Sequence, residues 1–183
     1  MRTLTVTEFV SLDGVMEAPG GEEGYAHSGW VGPYFDPAIG AFKQEEQLAA
    51  DILLLGKKTY ESFYGAWPER DGEMADKINS MTKYVVSSTL GSSDWTDTHV
   101  ISYDEVRALK EGGEGSILVA GSKSLVHALF RDQLVDALHL QVFPTVLGSG
   151  IRVFGDSPDR VDLELVSSET SGTGVLLQKY RVR

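Results

Sequence analysis

The chain alternates apolar and polar residues at its start and returns to that pattern at its end. Residues 3–12 show period-two alternation, are rich in β-branched side chains and predict a first strand. Asp13 and Gly14 form a turn pair that ends this strand. Near the other end, residues 163–169 and 175–181 alternate in the same way, and the Ser-Gly-Thr-Gly between them is typical of a β-hairpin.

Between these ends, short apolar runs alternate with helical segments. Residues 52–55 are wholly apolar, which is typical of a strand buried on both faces. Further strands are predicted at 84–87, 100–102, 117–119 and 137–142, and helices at 37–50, 59–63, 73–80, 104–110 and 122–131. This order predicts an α/β fold with three layers (α-β-α), in which a mixed, mainly parallel eight-stranded sheet ends in antiparallel strands. Because no linker divides the chain, residues 1–183 are expected to form a single domain.

Residues 15–35 are rich in glycine and proline and fit neither the helical nor the strand period. A loop this long is usually functional or disordered, and its many aromatic residues argue against disorder. We therefore expect a lid over a ligand, with Trp30, Tyr34 and Phe35 as candidate substrate contacts. Asp36 then precedes a proline, as an N-cap does at the start of a helix. The buried stripe of that helix is expected to contain Ile39, Phe42, Leu48 and Ala49.

Composition excludes several classes of function. The net charge of −11 disfavours a nucleic-acid partner, because a phosphate backbone requires a basic surface. The absence of cysteine excludes disulfides, thiolate metal sites and a cysteine nucleophile, and the four histidines are not spaced as metal ligands. No run approaches the roughly 20 apolar residues of a membrane helix, and the first strand does not resemble a signal peptide. We expect a cytoplasmic protein without a metal site or membrane partner.

The first candidate site is the end of the apolar run 52–55. Gly56 would let the backbone come close to an anion, Lys57 and Lys58 supply positive charge, and Thr59 can cap a helix while offering a hydroxyl. Helix N-termini at the carboxyl edge of a parallel sheet present free N–H groups, which suits a phosphate.

Two further strands end in the same way. Ser87 and Ser88 follow the strand at 84–87, and a turn of Gly121, Ser122, Lys123 and Ser124 follows the strand at 117–119. Two phosphate-binding positions on one sheet edge predict a dinucleotide, and the lysine pair favours NADP over NAD. Each feature alone is also typical of an ordinary strand end, and neither G-x-G-x-x-G nor the P-loop sequence is present, so the prediction depends on their joint occurrence.

Five segments together resemble the dihydrofolate-reductase-like superfamily. They are SLDG at 11–14, GKKTYE at 56–61, VSST at 86–89, VAGS at 119–122 and LHLQVFPTVLGSGIRVF at 138–154. Within that superfamily the chain is most similar to the reductase domain of bifunctional riboflavin-biosynthesis deaminase-reductases and their stand-alone bacterial relatives. The resemblance covers nearly the whole chain, and the segment at 138–154 is its most specific part.

The resemblance implies an eight-stranded mixed sheet, NADPH as the hydride donor and a homodimer. It assigns the 2′-phosphate and adenosine ribose to Lys57, Lys58, Ser87 and Ser88. It assigns the pyrophosphate to Thr59 and to the turn of Gly121, Ser122, Lys123, Ser124 and Leu125. Residues 13–30 would then cover the nicotinamide and the substrate.

A reductase of this type must also deliver a proton, and a carboxylic acid with a raised pKa in a dry pocket is the usual group. True dihydrofolate reductases carry an acid one turn before a Phe-Lys pair on the first helix. Here Phe42 and Lys43 are present, but Ala38 occupies the position of that acid. Asp13, which matches the aspartate of the SLDG motif, is the first candidate. Asp36 is the second, with a plain N-cap as its alternative role.

The predicted function is NADPH-dependent hydride transfer to a small heterocycle of pyrimidine or pteridine type, including 5-amino-6-ribosylaminouracil phosphate of the riboflavin pathway. The zinc deaminase signature of bifunctional relatives is absent, so any deamination would occur elsewhere. A nucleotide-binding or ligand-sequestering module without turnover is the alternative. A true dihydrofolate reductase is the third functional hypothesis.

Overall fold

In the computed structural model, residues 1–155 and 160–183 are described, and their strands form one sheet. The strands are β1 (Thr3–Ser11), β2 (Ile52–Gly56), β3 (Thr82–Val86), β4 (Thr98–Ile101), β5 (Ser116–Val119), β6 (Ala137–Phe143), β7 (Leu163–Thr170) and β8 (Leu176–Val182). The helices are α1 (Pro37–Ala49), α2 (Lys57–Ala66), α3 (Glu73–Ser80), α4 (Glu105–Glu111) and α5 (Lys123–Arg131), with a 3₁₀ turn at Gly32–Tyr34.

The sheet has the strand order β4-β3-β2-β5-β1-β6-β8-β7. Strands β1 to β6 all pair in parallel with one another, whereas β8 pairs antiparallel with both β6 and β7. The predicted mixed, mainly parallel sheet with antiparallel C-terminal strands is therefore confirmed. The parallel pairing also brings the carboxyl ends of β1, β2, β3, β5 and β6 to one edge.

Helices cover both faces of the sheet, which confirms the three layers. On one face, Val106 of α4 and Leu129 of α5 belong to the same buried cluster as Leu4 of β1. On the other face, Ile78 of α3 packs with the buried side chains of β2, and Ile39 of α1 packs with those of β6 and β8. No helix in the described parts of the chain combines the length and hydropathy needed to cross a membrane.

The buried stripe of α1 differs from the sequence prediction in its second half. Ile39 and Phe42 are buried as expected, but Leu48 and Ala49 are exposed, and Glu46 is buried in their place. The buried face follows the helical spacing 39, 42, 46, so Leu48 points away from the sheet. Glu46 is accepted in the interior because polar groups of β1 and β6 contact its carboxylate.

The helix after β2 begins earlier than predicted. It starts at Lys57 rather than Thr59, and Gly56 occupies the N-cap position without a side-chain cap. The prediction that Thr59 caps this helix is therefore wrong, because Thr59 lies inside its first turn. The same helix ends at Ala66, three residues beyond the predicted end at 63. The boundaries of the other elements agree with the prediction to within about two residues, the usual uncertainty of a helix or strand end.

Candidate functional site

The sheet has a notch at its carboxyl edge, between β1 and β2. Strand β5, which separates them, ends at Val119 opposite Val6. Strand β1 continues to Ser11, and beyond Val6 it is paired only with β6 among the described residues. The distal half of β1 therefore faces an opening where a central strand has ended. Openings of this kind outside the carboxyl ends of parallel strands are where α/β proteins bind their ligands.

The three strand ends singled out in the sequence meet at this edge. Strand β2 is paired in parallel with β3 on one side and with β5 on the other. The backbone N–H of Gly56 donates a hydrogen bond to the carbonyl oxygen of Gly121 at 3.0 Å, which ties the end of β2 to the turn after β5. Ser87 directly follows β3 at the same edge.

Two glycines allow this close approach. A Cβ atom on Gly56 would overlap the Oγ atom of Ser122 and lie 2.9 Å from its backbone nitrogen. Gly121 has φ +91°, and a Cβ atom there would lie 2.7 Å from the Oγ1 atom of Thr59. The sequence argument assigned Gly56 to the approach of an anion, but in the structure Ser122 occupies the space beside it. The glycines thus shape the turn that any nucleotide would meet.

Lys57, the first residue of α2, contacts the turn after β3. Its Nζ atom donates a hydrogen bond to Oγ1 of Thr89 at 3.0 Å and lies 3.8 Å from Oε1 of Glu61. Ser87 accepts hydrogen bonds at Oγ from the backbone N–H groups of Thr89 and Leu90, so this serine also shapes the turn. Lys58 and Ser88 are exposed. The structure therefore brings the lysine pair and the serine pair to one end of the notch.

The N-terminus of α5 is at the other side of the same turn. Ser122 is the N-cap residue and its side chain makes no capping hydrogen bond, while Lys123 and Ser124 are exposed in the first turn. Leu125 is 3% exposed and belongs to the core beneath α5. Its side chain therefore packs in the interior and does not face a ligand.

The aromatic candidates of the loop differ in accessibility. Trp30 is buried, its Nε1–H donates to the carbonyl oxygen of Glu17 at 2.8 Å, and its ring packs edge-on against Phe143. Tyr34 also contacts Phe143 and is half-buried, whereas Phe35 is exposed. Trp30 therefore anchors the loop to the core, and Tyr34 and Phe35 are the accessible members of the predicted substrate set.

Asp13 has the wrong electrostatics for the proton donor that the sequence argument assigned to it. Its carboxylate accepts hydrogen bonds from the Ser11 hydroxyl at 2.6 Å and from the backbone N–H groups of Leu147 at 3.1 Å and Gly148 at 2.8 Å. These bonds, that of Ser11 foremost, lower the pKa of Asp13 to about 2. Asp13 is therefore an anchor for the glycine-rich segment after β6, and its lowered pKa disfavours the predicted role of proton donor.

Asp36 is also unsuited to that role. It is the N-cap of α1, and its Oδ1 atom accepts from the backbone N–H groups of Ala38 and Ile39. Its Oδ2 atom accepts from the backbone N–H and the hydroxyl of Thr173, at 3.2 Å each. Burial acts in the opposite direction, but the hydrogen bonds dominate and hold the pKa of Asp36 below its ordinary value. The alternative role as a plain N-cap is the one that the structure supports.

Glu8 is the acidic residue that the sequence argument missed. It is the second residue of β1 beyond the pairing with β5, and only 8% of its surface is exposed. Its Oε1 atom is wholly buried without a hydrogen-bond partner in the described residues. Burial raises the pKa of Glu8 to about 8; Lys43 opposes this shift and Glu46 adds to it. A glutamate on the otherwise apolar face of Leu4, Val6 and Val10 was the signal in the sequence.

A second buried carboxylate, that of Glu46, is held by compensating partners on the opposite face of β1. It lies 2.9 Å from Nζ of Lys43 and 2.6 Å from Nδ1 of His139, and it accepts from the hydroxyl of Thr7. Burial acts to raise the pKa of Glu46, but Lys43 and His139 outweigh it, so that this pKa is lowered. The surroundings therefore raise the pKa of Glu8 and lower the pKa of Glu46.

Comparison with known proteins places the chain in a family. Residues 2–177 match the model of the RibD C-terminal domain, which is nearly the whole chain. The chain belongs to the RibD C-terminal domain family. It is also 28% identical over 181 residues to the Bacillus subtilis protein YyaP, with 93% of this chain and 90% of YyaP covered. A RibD C-terminal domain is a reductase-like unit of the riboflavin-pathway type, which confirms the prediction that the chain is related to the reductases of that pathway.

Solved structures share the fold of this RibD-type chain. A putative riboflavin biosynthesis protein from Shewanella sp. PV-4 has TM-score 0.73 at 18% identity, with 99% of both chains covered. A pyrimidine reductase-like protein from Corynebacterium diphtheriae has TM-score 0.72 at 15% identity, covering 100% of this chain and 92% of the other. Dihydrofolate reductase from Enterococcus faecalis, complexed with NADP(H), has TM-score 0.67 at 17% identity, covering 99% and 96%. The dihydrofolate-reductase-like fold is therefore shown.

Proposed function

We propose that this protein is an NADPH-dependent reductase of a small nitrogen heterocycle of pyrimidine or pteridine type. The observation that carries the proposal is the notch beyond the end of β5. It lies at the carboxyl edge of adjacent parallel strands, is bordered by the Gly121–Ser122 turn, and has lysines at one end and a buried acid within it. Membership of a reductase-like family and the fold shared with an NADP(H)-complexed reductase support the same reading.

The residues around the notch fit a phosphorylated dinucleotide. We assign the pyrophosphate to Thr59 and the turn at Gly121 and Ser122, because the end of β2 and the N-terminus of α5 meet at this turn. Lys123 and Ser124, exposed at the start of α5, extend this position. We assign the 2′-phosphate and the adenosine ribose to Lys57, Lys58, Ser87 and Ser88, which the parallel strands bring together at the other end.

Bound NADPH would supply a hydride at this edge of the sheet. The chain itself orients the substrate through the half-buried and exposed aromatic rings of Tyr34 and Phe35, and it excludes water with the buried loop residues around Trp30. Residues 13–42 contain neither lysine nor arginine. A ribose phosphate on the substrate would therefore rely on Arg152, whose Nε atom donates to the carbonyl oxygen of Asp13 at 3.1 Å. For this reason we place an unphosphorylated heterocycle ahead of 5-amino-6-ribosylaminouracil phosphate.

The cofactor assignment is tested by equilibrium titration of NADPH and NADH against a Lys57→Ala/Lys58→Ala variant. NADPH affinity should fall roughly 10- to 100-fold, because a charge-assisted hydrogen bond to a phosphate contributes about 1.5–3 kcal/mol. NADH affinity should change little, since NADH lacks the 2′-phosphate.

The matched control is Arg181→Ala/Arg183→Ala. It removes the same positive charge from the opposite edge of the sheet, where Arg181 pairs with Ala137 at the start of β6. It should leave both affinities unchanged. Equal weakening of NADPH and NADH by the lysine variant would show that the lysines do not read the 2′-phosphate.

Turnover separates the reductase from the alternative of a nucleotide-binding module. Oxidation of NADPH is followed by absorbance with dihydropterins, including dihydrofolate, and with aminopyrimidines with and without a ribose phosphate. Oxidation with an unphosphorylated compound supports the proposal. Tight NADPH binding without oxidation across the panel favours the binding module, and selective oxidation with dihydrofolate favours a true dihydrofolate reductase.

A further inference from the structure

We infer that Glu8 is the catalytic acid of this site and donates the proton that accompanies hydride transfer. This inference rests on the proposed function and adds to it the identity of the proton donor. It replaces the two aspartates that the sequence favoured.

The position of Glu8 is the first support. A Cβ atom on Gly121 would lie 3.7 Å from Oε1 of Glu8 and 2.7 Å from Oγ1 of Thr59. The carboxyl group therefore lies beside the turn that borders the notch and close to the first turn of α2. Strand β5 has already ended at this level, so no β5 residue is paired with β1 beside Glu8.

The lack of a partner is the second support. A buried polar atom in a native protein normally has a hydrogen-bond partner, and each exception requires an explanation. Oε1 of Glu8 has none within residues 1–155 and 160–183. The charged groups that act on it, Lys43 and Glu46, both lie on α1 and have opposite signs. A carboxyl group in such surroundings stays protonated near neutral pH and can give its proton to a ligand placed in the notch.

Reduction of the substrate requires one hydride and one proton. Reduction of a C=N bond breaks its π bond and adds a hydride to carbon and a proton to nitrogen. Bound NADPH would supply that hydride with its two electrons. Glu8 supplies the proton, so that its O–H bond breaks while an N–H bond forms on the substrate. The resulting Glu8 carboxylate regains a proton from solvent when product leaves.

The test uses NADP⁺ and NADPH alone, so it needs no knowledge of the substrate. The two differ in the positive charge on the oxidised ring, and a Glu8 carboxylate beside that ring would favour NADP⁺. In the wild-type protein, the ratio of the dissociation constant for NADP⁺ to that for NADPH should fall about tenfold between about pH 6 and pH 9. This is the change expected if the positively charged ring lowers the pKa of Glu8 by about one unit. Titration of the 2′-phosphate is common to both nucleotides and cancels in the ratio.

In a Glu8→Gln variant, the ratio should be constant over this pH range, while Glu8→Asp should retain part of the dependence. The matched control is Glu45→Gln, which removes an exposed carboxylate of α1 that pairs with Lys179 and should behave as wild type. The same pH dependence in Glu8→Gln and wild type would show that Glu8 does not face the ring and would overturn the inference while leaving the proposed function in place. Failure of wild-type protein to bind either nucleotide would overturn both.

Thermal unfolding without nucleotide gives an independent readout. A glutamate whose folded pKa is raised contributes stability that is lost as pH rises through that pKa. The melting temperature of wild type should therefore fall relative to that of Glu8→Gln between about pH 5 and pH 9. A constant difference would show that the Glu8 carboxyl is not held protonated, which would also overturn the inference.

Discussion

The backbone N–H of Gly56, at the end of β2, donates a hydrogen bond to the carbonyl oxygen of Gly121 at 3.0 Å, in the turn that follows the neighbouring strand β5. This one contact joins the lysine-bearing helix α2 to the turn before α5. The contact is possible because neither residue carries a side chain. A Cβ atom on Gly56 would overlap Ser122, and one on Gly121 would lie too close to Thr59. The two halves of the proposed cofactor site are thus held together by backbone.

Gly56→Ala should therefore disturb both the fold and the nucleotide site. The added methyl group would overlap Ser122, and overpacking of this kind typically costs about 1–3 kcal/mol. We expect lower stability in urea denaturation and weaker NADPH binding in titration. Gly65→Ala in α2 is the control, since a Cβ atom there meets nothing within 4 Å and alanine favours a helix. Equal behaviour of the two variants would contradict the role assigned to Gly56.

The Asp13→Asn substitution should lower the stability of the fold, because the Asp13 carboxylate holds the segment after β6 in place. The amide cannot accept all the hydrogen bonds that the carboxylate receives from Ser11, Leu147 and Gly148, so a loss of roughly 1–3 kcal/mol is expected at neutral pH. The folded pKa of about 2 lies below the ordinary 3.8, so this contribution is present above about pH 4 and disappears as pH falls through about 2. Urea denaturation of wild type and variant over this range measures it.

The same variant separates the roles of Asp13 and Glu8. Asp13→Asn should keep the pH dependence of the NADP⁺ to NADPH affinity ratio that Glu8→Gln abolishes. Loss of that dependence in Asp13→Asn, with stability unchanged, would restore Asp13 as the titrating group.

Lys43→Met should be strongly destabilising. It leaves the buried Glu46 carboxylate without the ammonium group at 2.9 Å, and removing one partner of a buried ion pair typically costs about 3–5 kcal/mol. Because partners hold the pKa of Glu46 below its ordinary value, wild type derives stability from its ionised form at neutral pH and loses it on acidification. The difference between wild type and variant, measured by denaturation, should therefore shrink as pH falls.

A Lys43→Met/Glu46→Met double variant should recover much of the lost stability, since it removes both charges and fills the space with apolar groups. Glu45→Gln, which removes an exposed ion pair on the same helix, should change stability by less than about 1 kcal/mol. A double variant as unstable as Lys43→Met alone would indicate that the loss came from packing around Phe9, over whose ring Lys43 lies.

The sequence by itself determined the kinds and order of the strands and helices and the edge at which the site lies. Alternation in residues 3–12 and the apolar run at 52–55 are local signals, and parallel strands joined by helices must bring Gly56, Ser87 and Gly121 to one edge. The N-cap role of Asp36 could also be predicted from the sequence, because capping depends only on neighbouring residues.

Only the tertiary structure decided which acids are neutral and which are charged. The pKa of Asp13 is lowered first by the Ser11 hydroxyl and further by the backbone N–H groups of Leu147 and Gly148, which a distant segment brings to it. Glu46 is accepted in the interior because Lys43 lies beside it and His139 arrives from a distant strand. Burial by the surrounding chain raises the pKa of Glu8 to about 8, although the charge of Lys43 acts in the opposite direction. A pKa depends on the burial and charge that distant segments bring to a group, and no local pattern in the sequence contains that information.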